Sequence, residues 1–158
     1  MRTRKRYDVI AIALHLSVAG LVVVAFILGL AVESFPKEDA ARVINMHALI
    51  GLTVLVLAIG RLFWRMAHPA PEFPQTISAL DRNVAKIIHA GLYILMIAVP
   101  IIGIPTWLWS GQDIFRPLME AHEIAAFALI ALVVGHVLVA LYLQFVRHVD
   151  IFERMGVR

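Results

Sequence analysis

The sequence contains no cysteine. This absence excludes disulfide bonds, thiolate metal sites, iron–sulfur clusters and covalent attachment of haem through a Cys-x-x-Cys-His motif. A metal bound by this chain would therefore be held by histidine, methionine or oxygen ligands.

Charged residues are also scarce, at 16% of the 158 residues, where a soluble globular domain has about 25%. Four stretches contain no Asp, Glu, Lys or Arg at all: 9–32, 43–60, 87–112 and 124–146. Each is about as long as a helix needs to cross a bilayer, roughly 20 residues. This pattern excludes a soluble enzyme, a nucleic-acid-binding protein and a disordered chain, and it indicates a protein embedded in a lipid bilayer.

The connections between these stretches are short, and none is large enough to form a domain of its own. The sequence therefore predicts an all-α fold, an integral membrane four-helix bundle that forms a single domain over 1–158. The predicted helices cover about 8–32, 43–65, 84–109 and 119–147. Pro100 and Pro105 lie in the third of them and are expected to kink it or end it early.

Lysine and arginine are distributed unevenly along the chain. Of the 14, only Lys37, Arg42 and Arg116 lie in the first and third loops, and the others lie in the N-terminal segment, the second loop and the tail. By the positive-inside rule both termini are predicted to be cytoplasmic. The first apolar run is much longer than the roughly 7–15 residues of a signal-peptide core, so it is predicted to be a retained membrane helix.

Histidine is the most informative residue type in this chain. Five of the seven histidines lie in the predicted spans or at their edges: His15, His47, His89, His122 and His136. Ionisable residues at membrane depth are costly and indicate a functional site. A single membrane histidine often makes only an interhelical hydrogen bond, but five are difficult to explain in this way.

The spacing of these histidines predicts two pairs at different depths. His122 and His136 lie within about 40° of the same face of the fourth helix and about 21 Å apart along it. His47 is expected at the depth of His122, near the outer side, and His15 roughly at the depth of His136. Two histidine pairs stacked across a bilayer are what two bis-histidine b-type haems require, and such ligation suits electron transfer. His89, near the inner start of the third helix, could replace His15 as a ligand or serve at a quinone site.

Arg61 follows His47 along the second helix and is expected on a similar face, at the depth of the inner histidines. There it is a candidate partner for a haem propionate; the alternative is a basic anchor that reaches the cytoplasmic interface. Gly20, Gly51 and Gly135 lie near the histidines in sequence and are candidates for leaving room for a porphyrin.

Taken together, these residues resemble the bacterial cytochrome b561 family of four-helix dihaem membrane cytochromes, over nearly the whole chain. The most specific part of the resemblance runs from His47-Ala48-Leu49-Ile50-Gly51 through Arg61-Leu62-Phe63-Trp64-Arg65 to His68-Pro69-Ala70-Pro71. Further matches are His89 with Tyr93, Pro100 and Gly103, then His122-Glu123 followed by His136, and finally Asp150 and Arg154-Met155 in the tail.

The resemblance implies two non-covalently bound haem b groups. It implies His47 and His122 as ligands of the outer haem and His15 and His136 as ligands of the inner haem. It places His89 off the iron, near a proposed quinone pocket.

Two positions depart from the family's pattern. Leu16 stands where the family usually has Trp, and Leu143 stands where it commonly has a histidine. If that histidine serves quinone in the family, the inner site of this chain is weakened or rebuilt around His89.

The implied activity is electron transfer across the inner membrane of a bacterium, from a periplasmic one-electron donor to ubiquinone on the cytoplasmic side. Superoxide is the leading candidate donor. The outer loops carry six acidic residues against three basic ones, a balance that repels an anion unless Arg42 or Arg116 forms a local cationic pocket.

Two other functions remain as alternatives. The first is an electron-transfer cytochrome b subunit of a larger dehydrogenase or hydrogenase complex, which would need a redox protein partner docked on short outer loops. The second is a metal-ion transporter with histidine ligands, which the absence of carboxylates from the spans disfavours. The oligomeric state is open, with a homodimer as one option.

Overall fold

The computed structural model describes residues 6–71, 77–108 and 115–156. Within these ranges the helices are α1 (Val9–Ala31), α2 (Lys37–Ala67), α3 (Ala79–Leu108), α4 (Phe115–Phe145) and a short α5 (Ile151–Arg154), and a 3₁₀ turn at Val32–Ser34 follows α1. Helices α1 to α4 are long and apolar enough to cross a membrane. This confirms the predicted all-α membrane bundle of four spanning helices.

Polar residues at the helix starts explain why two helices begin earlier than the uncharged stretches. Helix α2 begins at Lys37 rather than at about 43, with Glu38 and Asp39 in its first turn, where acidic side chains complement the positive end of the helix dipole. Helix α3 begins at Ala79 rather than at about 84. There the Ser78 hydroxyl accepts a hydrogen bond from the Asp81 backbone N–H at 3.1 Å, as an N-cap does. An uncharged stretch thus marks the part of a helix in hydrocarbon, and the helix itself continues into the interface.

The inner ends of α1 and α2 are tied by one carboxylate. Asp8 caps α1 by accepting the Ala11 backbone N–H at 2.9 Å. The same oxygen accepts the indole N–H of Trp64, in the last turns of α2, at 3.0 Å. Helix α2 ends at Ala67 because His68 precedes Pro69 and leaves the helical region, with φ −125° and ψ 85°; the ring of a proline disfavours the helical conformation in the residue before it.

Both prolines of the third span lie inside α3. The helix continues through them to Leu108, so neither Pro100 nor Pro105 ends it. A membrane helix tolerates an interior proline because neighbouring helices and side chains can satisfy the carbonyls it leaves free.

Close backbone packing follows chain order, with α1 against α2, α2 against α3 and α3 against α4. Apolar side chains from all four helices form the core: Val18, Val22, Val54, Ala58, Leu92, Met96, Val99 and Leu129. Helices α1 and α4 approach each other through side chains, among them Phe26 and Phe127, whose ring centroids are 5.5 Å apart. The histidines that concern us lie above and below this core.

Candidate functional site

Histidines at two levels of the bundle face each other in pairs. His47 of α2 faces His122 of α4, with ring centroids 5.9 Å apart and ring planes at 82°. His15 of α1 faces His136 of α4, with centroids 6.2 Å apart and planes at 81°. After the predicted orientation, we call His47 and His122 the outer pair and His15 and His136 the inner pair.

The spacing within each pair fits one metal atom held between two imidazoles. Because a metal–imidazole bond is about 2 Å long and the ring centroid lies about 1 Å behind the nitrogen, two rings that bind one metal from opposite sides have centroids about 6 Å apart. Both pairs match this spacing. His89 approaches His136 more closely, with centroids 5.0 Å apart and planes at 68°, which is too short for the same arrangement.

Both histidines of the outer pair donate a hydrogen bond to a backbone carbonyl of a neighbouring helix. His47 Nδ1 lies 2.8 Å from the Ala25 oxygen in α1, and His122 Nδ1 lies 3.0 Å from the Val99 oxygen in α3. A carbonyl oxygen can only accept, so Nδ1 carries a proton in both rings, and the nitrogen left to offer a lone pair to a metal is Nε2. This tautomer is the one that binds a metal through Nε2.

Two glycines allow these rings to lie against the neighbouring backbone. Gly29 is one turn beyond Ala25 in α1, and Gly103 is one turn beyond Val99 in α3. A Cβ added to Gly29 would lie 3.1 Å from His47 Cε1, and one added to Gly103 would lie 2.8 Å from His122 Cε1. The first contact is tight, and the second is shorter than Cβ atoms tolerate. At both positions the histidine ring therefore occupies the space that a side chain would need.

The inner pair borders a cavity that also takes in three other polar side chains. His15, His136, His89, Arg61 and Tyr93 line it, and its remaining lining is apolar, from residues such as Val18, Val22, Leu92, Met96 and Val133. The structure thus brings all the inner candidates from the sequence to one cavity. Within the described ranges neither ring of the inner pair hydrogen-bonds a protein atom, in contrast to the outer pair.

Arg61 and Tyr93 provide a polar edge to this cavity. The Arg61 guanidinium carbon lies 5.2 Å from the centroid of the Tyr93 ring, and that of Arg65 lies 5.9 Å from it. The Tyr93 hydroxyl is buried and has no hydrogen-bond partner among the described residues. Because buried hydroxyls are normally paired, this cavity suits a ligand with an acidic group beside an apolar plate, as haem has.

Other predicted features have different outcomes. A Cβ at Gly20, Gly51 or Gly135 would meet nothing within 4 Å, so the idea that these glycines leave room for a porphyrin stays a prediction. His68, which had no predicted role, stacks on Trp64 with centroids 4.0 Å apart. Trp109, which the sequence places near the outer end of the third span and which suits an interfacial aromatic belt, lies outside the described residues.

The two outer arginines that could attract an anion are each paired with an acid of their own helix. Arg42 lies 3.6 Å from Asp39 with 84% of its side chain exposed, and Arg116 lies 3.4 Å from Glu120 with 89% exposed. Exposed pairs of this kind are worth little energy. Neither arginine forms an enclosed cationic pocket with other described residues.

Comparison with known proteins gives a consistent result. A family model for prokaryotic cytochrome b561 matches residues 6–156. The chain is 27% identical to cytochrome b561 homolog 2 of Escherichia coli, over 97% of this chain and 92% of that protein. It is 30% identical to cytochrome b562 of Cereibacter sphaeroides, over 94% of each. It is also 30% identical to a protein named probable superoxide oxidase CybB from Yersinia pestis, over 69% of this chain and 62% of that one.

Proposed function

The chain belongs to the prokaryotic cytochrome b561 family, and on this premise we propose that it is a dihaem cytochrome that carries electrons across the bacterial inner membrane. Membership itself implies b-type haem and electron transfer within a membrane. The number of haems, the residues that bind them and the electron donor and acceptor go beyond family membership and are proposed here. The donor is superoxide on the periplasmic side, and the acceptor is ubiquinone on the cytoplasmic side.

The spacing of the two histidine pairs is the observation that carries the proposal. Centroid distances of 5.9 and 6.2 Å suit bis-histidine ligation at both levels, with α4 contributing one ligand to each. A bis-histidine haem supplies reversible one-electron chemistry with no open coordination position. Two such sites stacked along α4 connect the two faces of a bilayer.

The other polar residues of the inner cavity have supporting roles in this proposal. Arg61 and the Tyr93 hydroxyl would hold an acidic group of the inner haem, the arginine by a charge-assisted hydrogen bond and the tyrosine by donating from its hydroxyl. His89 stays off the iron and hydrogen-bonds a quinone oxygen, or supplies it with a proton. The apolar lining excludes water, which strengthens each of these interactions.

The orientation follows from the basic residues. Arg6, Arg65 and Arg154 lie at the end of the bundle where α1 begins and α2 ends, and in the sequence most of the remaining Lys and Arg fall in the segments that adjoin this end. The positive-inside rule therefore supports a multi-pass protein of the inner membrane with both termini in the cytoplasm. The inner pair, Arg61 and His89 are then on the side where quinone is reduced.

Superoxide is proposed as the donor because it gives a single electron, and the similarity to a probable superoxide oxidase of Yersinia pestis supports it. Two superoxide ions are oxidised to two O₂, and one ubiquinone takes up the two electrons and two protons to give ubiquinol. His47 and His122 would fill both axial positions of the outer haem, so the electron of superoxide would pass through the porphyrin edge and superoxide would not need to bind iron.

The first test is a haem count on the purified protein by the pyridine haemochrome method, with a reduced-minus-oxidised spectrum. We expect two haem b per chain, and one after His47→Ala, His122→Ala, His15→Ala or His136→Ala. His89→Ala is the matched control, since it removes an inner histidine that is not a ligand here, and it should keep two. A chain without haem contradicts the proposal, as does loss of both haems from every variant. Haem loss from His89→Ala with retention in His15→Ala would show that His89, and not His15, is the ligand of the inner haem.

A second arm identifies the donor and acceptor. The protein in vesicles containing ubiquinone is exposed to superoxide, and ubiquinol is measured. We expect one ubiquinol for every two superoxide ions consumed, in the wild type and not in His122→Ala. Absence of ubiquinol from a fully loaded two-haem protein would reject superoxide and favour the alternative of a subunit reduced by a redox protein.

A further inference from the structure

The two histidine pairs differ in what holds their rings. Both outer rings donate Nδ1–H to a carbonyl of a neighbouring helix, Ala25 for His47 and Val99 for His122. The inner pair has no such bond among the described residues. The carbonyls come from two different helices, α1 for His47 and α3 for His122. Each helix presents its carbonyl with the same local pattern.

That pattern is an accepting carbonyl followed one turn later by a glycine. Gly29 follows Ala25, and Gly103 follows Val99, and at both glycines the space of a Cβ is taken by the histidine ring. Any other residue would push the ring away from the carbonyl that accepts from it. The same arrangement occurs twice, on separate helices, at the two predicted ligands of one haem.

We propose that Ala25–Gly29 and Val99–Gly103 are backbone cradles that position His47 and His122 and keep the reduction potential of the outer haem below that of the inner haem. The inference rests on the proposed dihaem function. It makes Gly29 and Gly103 positioning residues that act through the histidines, with no contact to the iron themselves.

The sign of the effect follows from the hydrogen bonds. Donation from Nδ1–H to a carbonyl makes the imidazole a more basic ligand, and a more basic ligand stabilises ferric over ferrous iron, which lowers the potential. The inner pair lacks these bonds and lies at a cavity lined by Arg61, whose positive charge favours the reduced state. Glu123, next to His122 in sequence, acts in the same direction as the carbonyls. Together these groups favour electron transfer from the outer site to the inner one.

The test replaces each cradle glycine in the full-length holoprotein. Gly103→Ala brings a Cβ within 2.8 Å of the His122 ring, and Gly29→Ala brings one within 3.1 Å of the His47 ring, so the second variant is the milder. Gly60→Ala is the control, because Gly60 is an exposed position of α2 where an added Cβ meets nothing within 4 Å. The readouts are the haem count, the potentials of the two haems by redox titration, and the ferric low-spin electron paramagnetic resonance spectrum, which reports ligand-ring orientation.

We expect the lower-potential haem to move to a more positive potential in both cradle variants, with a larger shift in Gly103→Ala. Loss of an outer-shell partner of a metal ligand costs about 10- to 100-fold in metal affinity or activity, and we expect a change at the lower end of that range, about tenfold, in the reduced-to-oxidised ratio of this haem at fixed ambient potential. Its resonance spectrum should change as well, while the other haem and Gly60→Ala stay as in the wild type. If Gly103→Ala loses its outer haem altogether, the potential of the outer haem is measured in the milder variant Gly29→Ala alone.

Two results would overturn the inference. One is a His122→Ala protein whose remaining haem has the lower of the two wild-type potentials. The other is a pair of cradle variants that retain both haems and titrate like the wild type. Either would leave the dihaem proposal intact, whereas a protein that binds no haem would defeat the proposed function itself.

Discussion

The guanidinium group of Arg61 lies over the ring of Tyr93 at the wall of the inner cavity, and the two arginines beside that tyrosine offer a matched comparison. Arg61 lines the cavity, whereas Arg65, one turn further along α2, contacts the same ring from an exposed position. Both carry the same charge on the same helix. A difference between their variants therefore reports on the cavity, and not on the net charge of the inner face.

We predict that Arg61→Gln weakens retention of the inner haem, since it removes a charged hydrogen-bond donor to a propionate. Hydrogen bonds to charged groups are worth about 1.5–3 kcal/mol, or roughly ten- to a hundredfold in affinity. The measurement is the transfer of haem from the protein to excess apomyoglobin, followed by its spectrum. Arg65→Gln should transfer haem at the wild-type rate, and equal loss from both variants would remove Arg61 from the propionate site.

Single residues differ in how visible their role is from sequence. Histidines within uncharged stretches stand out because burial in hydrocarbon is costly for them, and the structure does bring all five to two levels. The contact of Gly29 with His47 has no signal in the sequence, and Gly103 has only the family match. A glycine within a helix gives no sign of which side chain of a neighbouring helix packs against it. Gly20, Gly51 and Gly135 are close to a histidine in sequence, which does not report contact between helices, so their role beside a porphyrin stays a prediction.

At the scale of an element, Asp8 joins the start of α1 to the end of α2. We predict that Asp8→Ala lowers stability by about 1–2 kcal/mol, because it removes a helix cap and leaves the Trp64 indole N–H without this acceptor. The measurement is the midpoint of unfolding of the detergent-solubilised holoprotein, followed by its helical circular dichroism. Asp8→Asn keeps an acceptor oxygen and should lose less than half as much. A wild-type midpoint for Asp8→Ala would show that this carboxylate does not stabilise the inner end.

Helix identity was predictable, and helix ends were less so. A run of uncharged apolar residues is sufficient to identify a spanning helix, which is why four spans could be assigned. The starts of α2 and α3 lie further out because Glu38, Asp39 and the Ser78–Asp81 cap stabilise helical turns in polar surroundings, which a hydrocarbon criterion does not detect. Neither Pro100 nor Pro105 ended α3, since a buried helix can find other partners for a freed carbonyl.

At the scale of the whole molecule, the basic residues are concentrated on one predicted side of the membrane, whereas the acidic residues are divided almost evenly, six outside and five inside. The predicted cytoplasmic side holds most of the Lys and Arg, and the predicted periplasmic loops carry six acidic residues against three basic ones. This asymmetry could be obtained from the sequence alone. The sequence could not show that Arg42 and Arg116 each form an ion pair with an acidic residue of the same helix, because these pairs form only if α2 and α4 begin far enough out to include both partners.

The outer face therefore presents a net negative field to superoxide, and its oxidation should be faster when that field is screened. We predict that the rate of haem reduction by superoxide rises roughly two- to threefold between 0.01 and 0.15 M salt, as the Debye length falls from about 30 to 8 Å. Arg42→Glu makes the face more negative, so it should slow the reaction at low salt and steepen the salt dependence, with haem content unchanged. Stopped-flow mixing with superoxide measures both rates, and an uncharged one-electron donor, which should show no salt effect, is the control. A wild-type rate that falls with salt would instead show that superoxide is steered by a local cationic group, and loss of that fall in Arg42→Glu would identify Arg42 as the group.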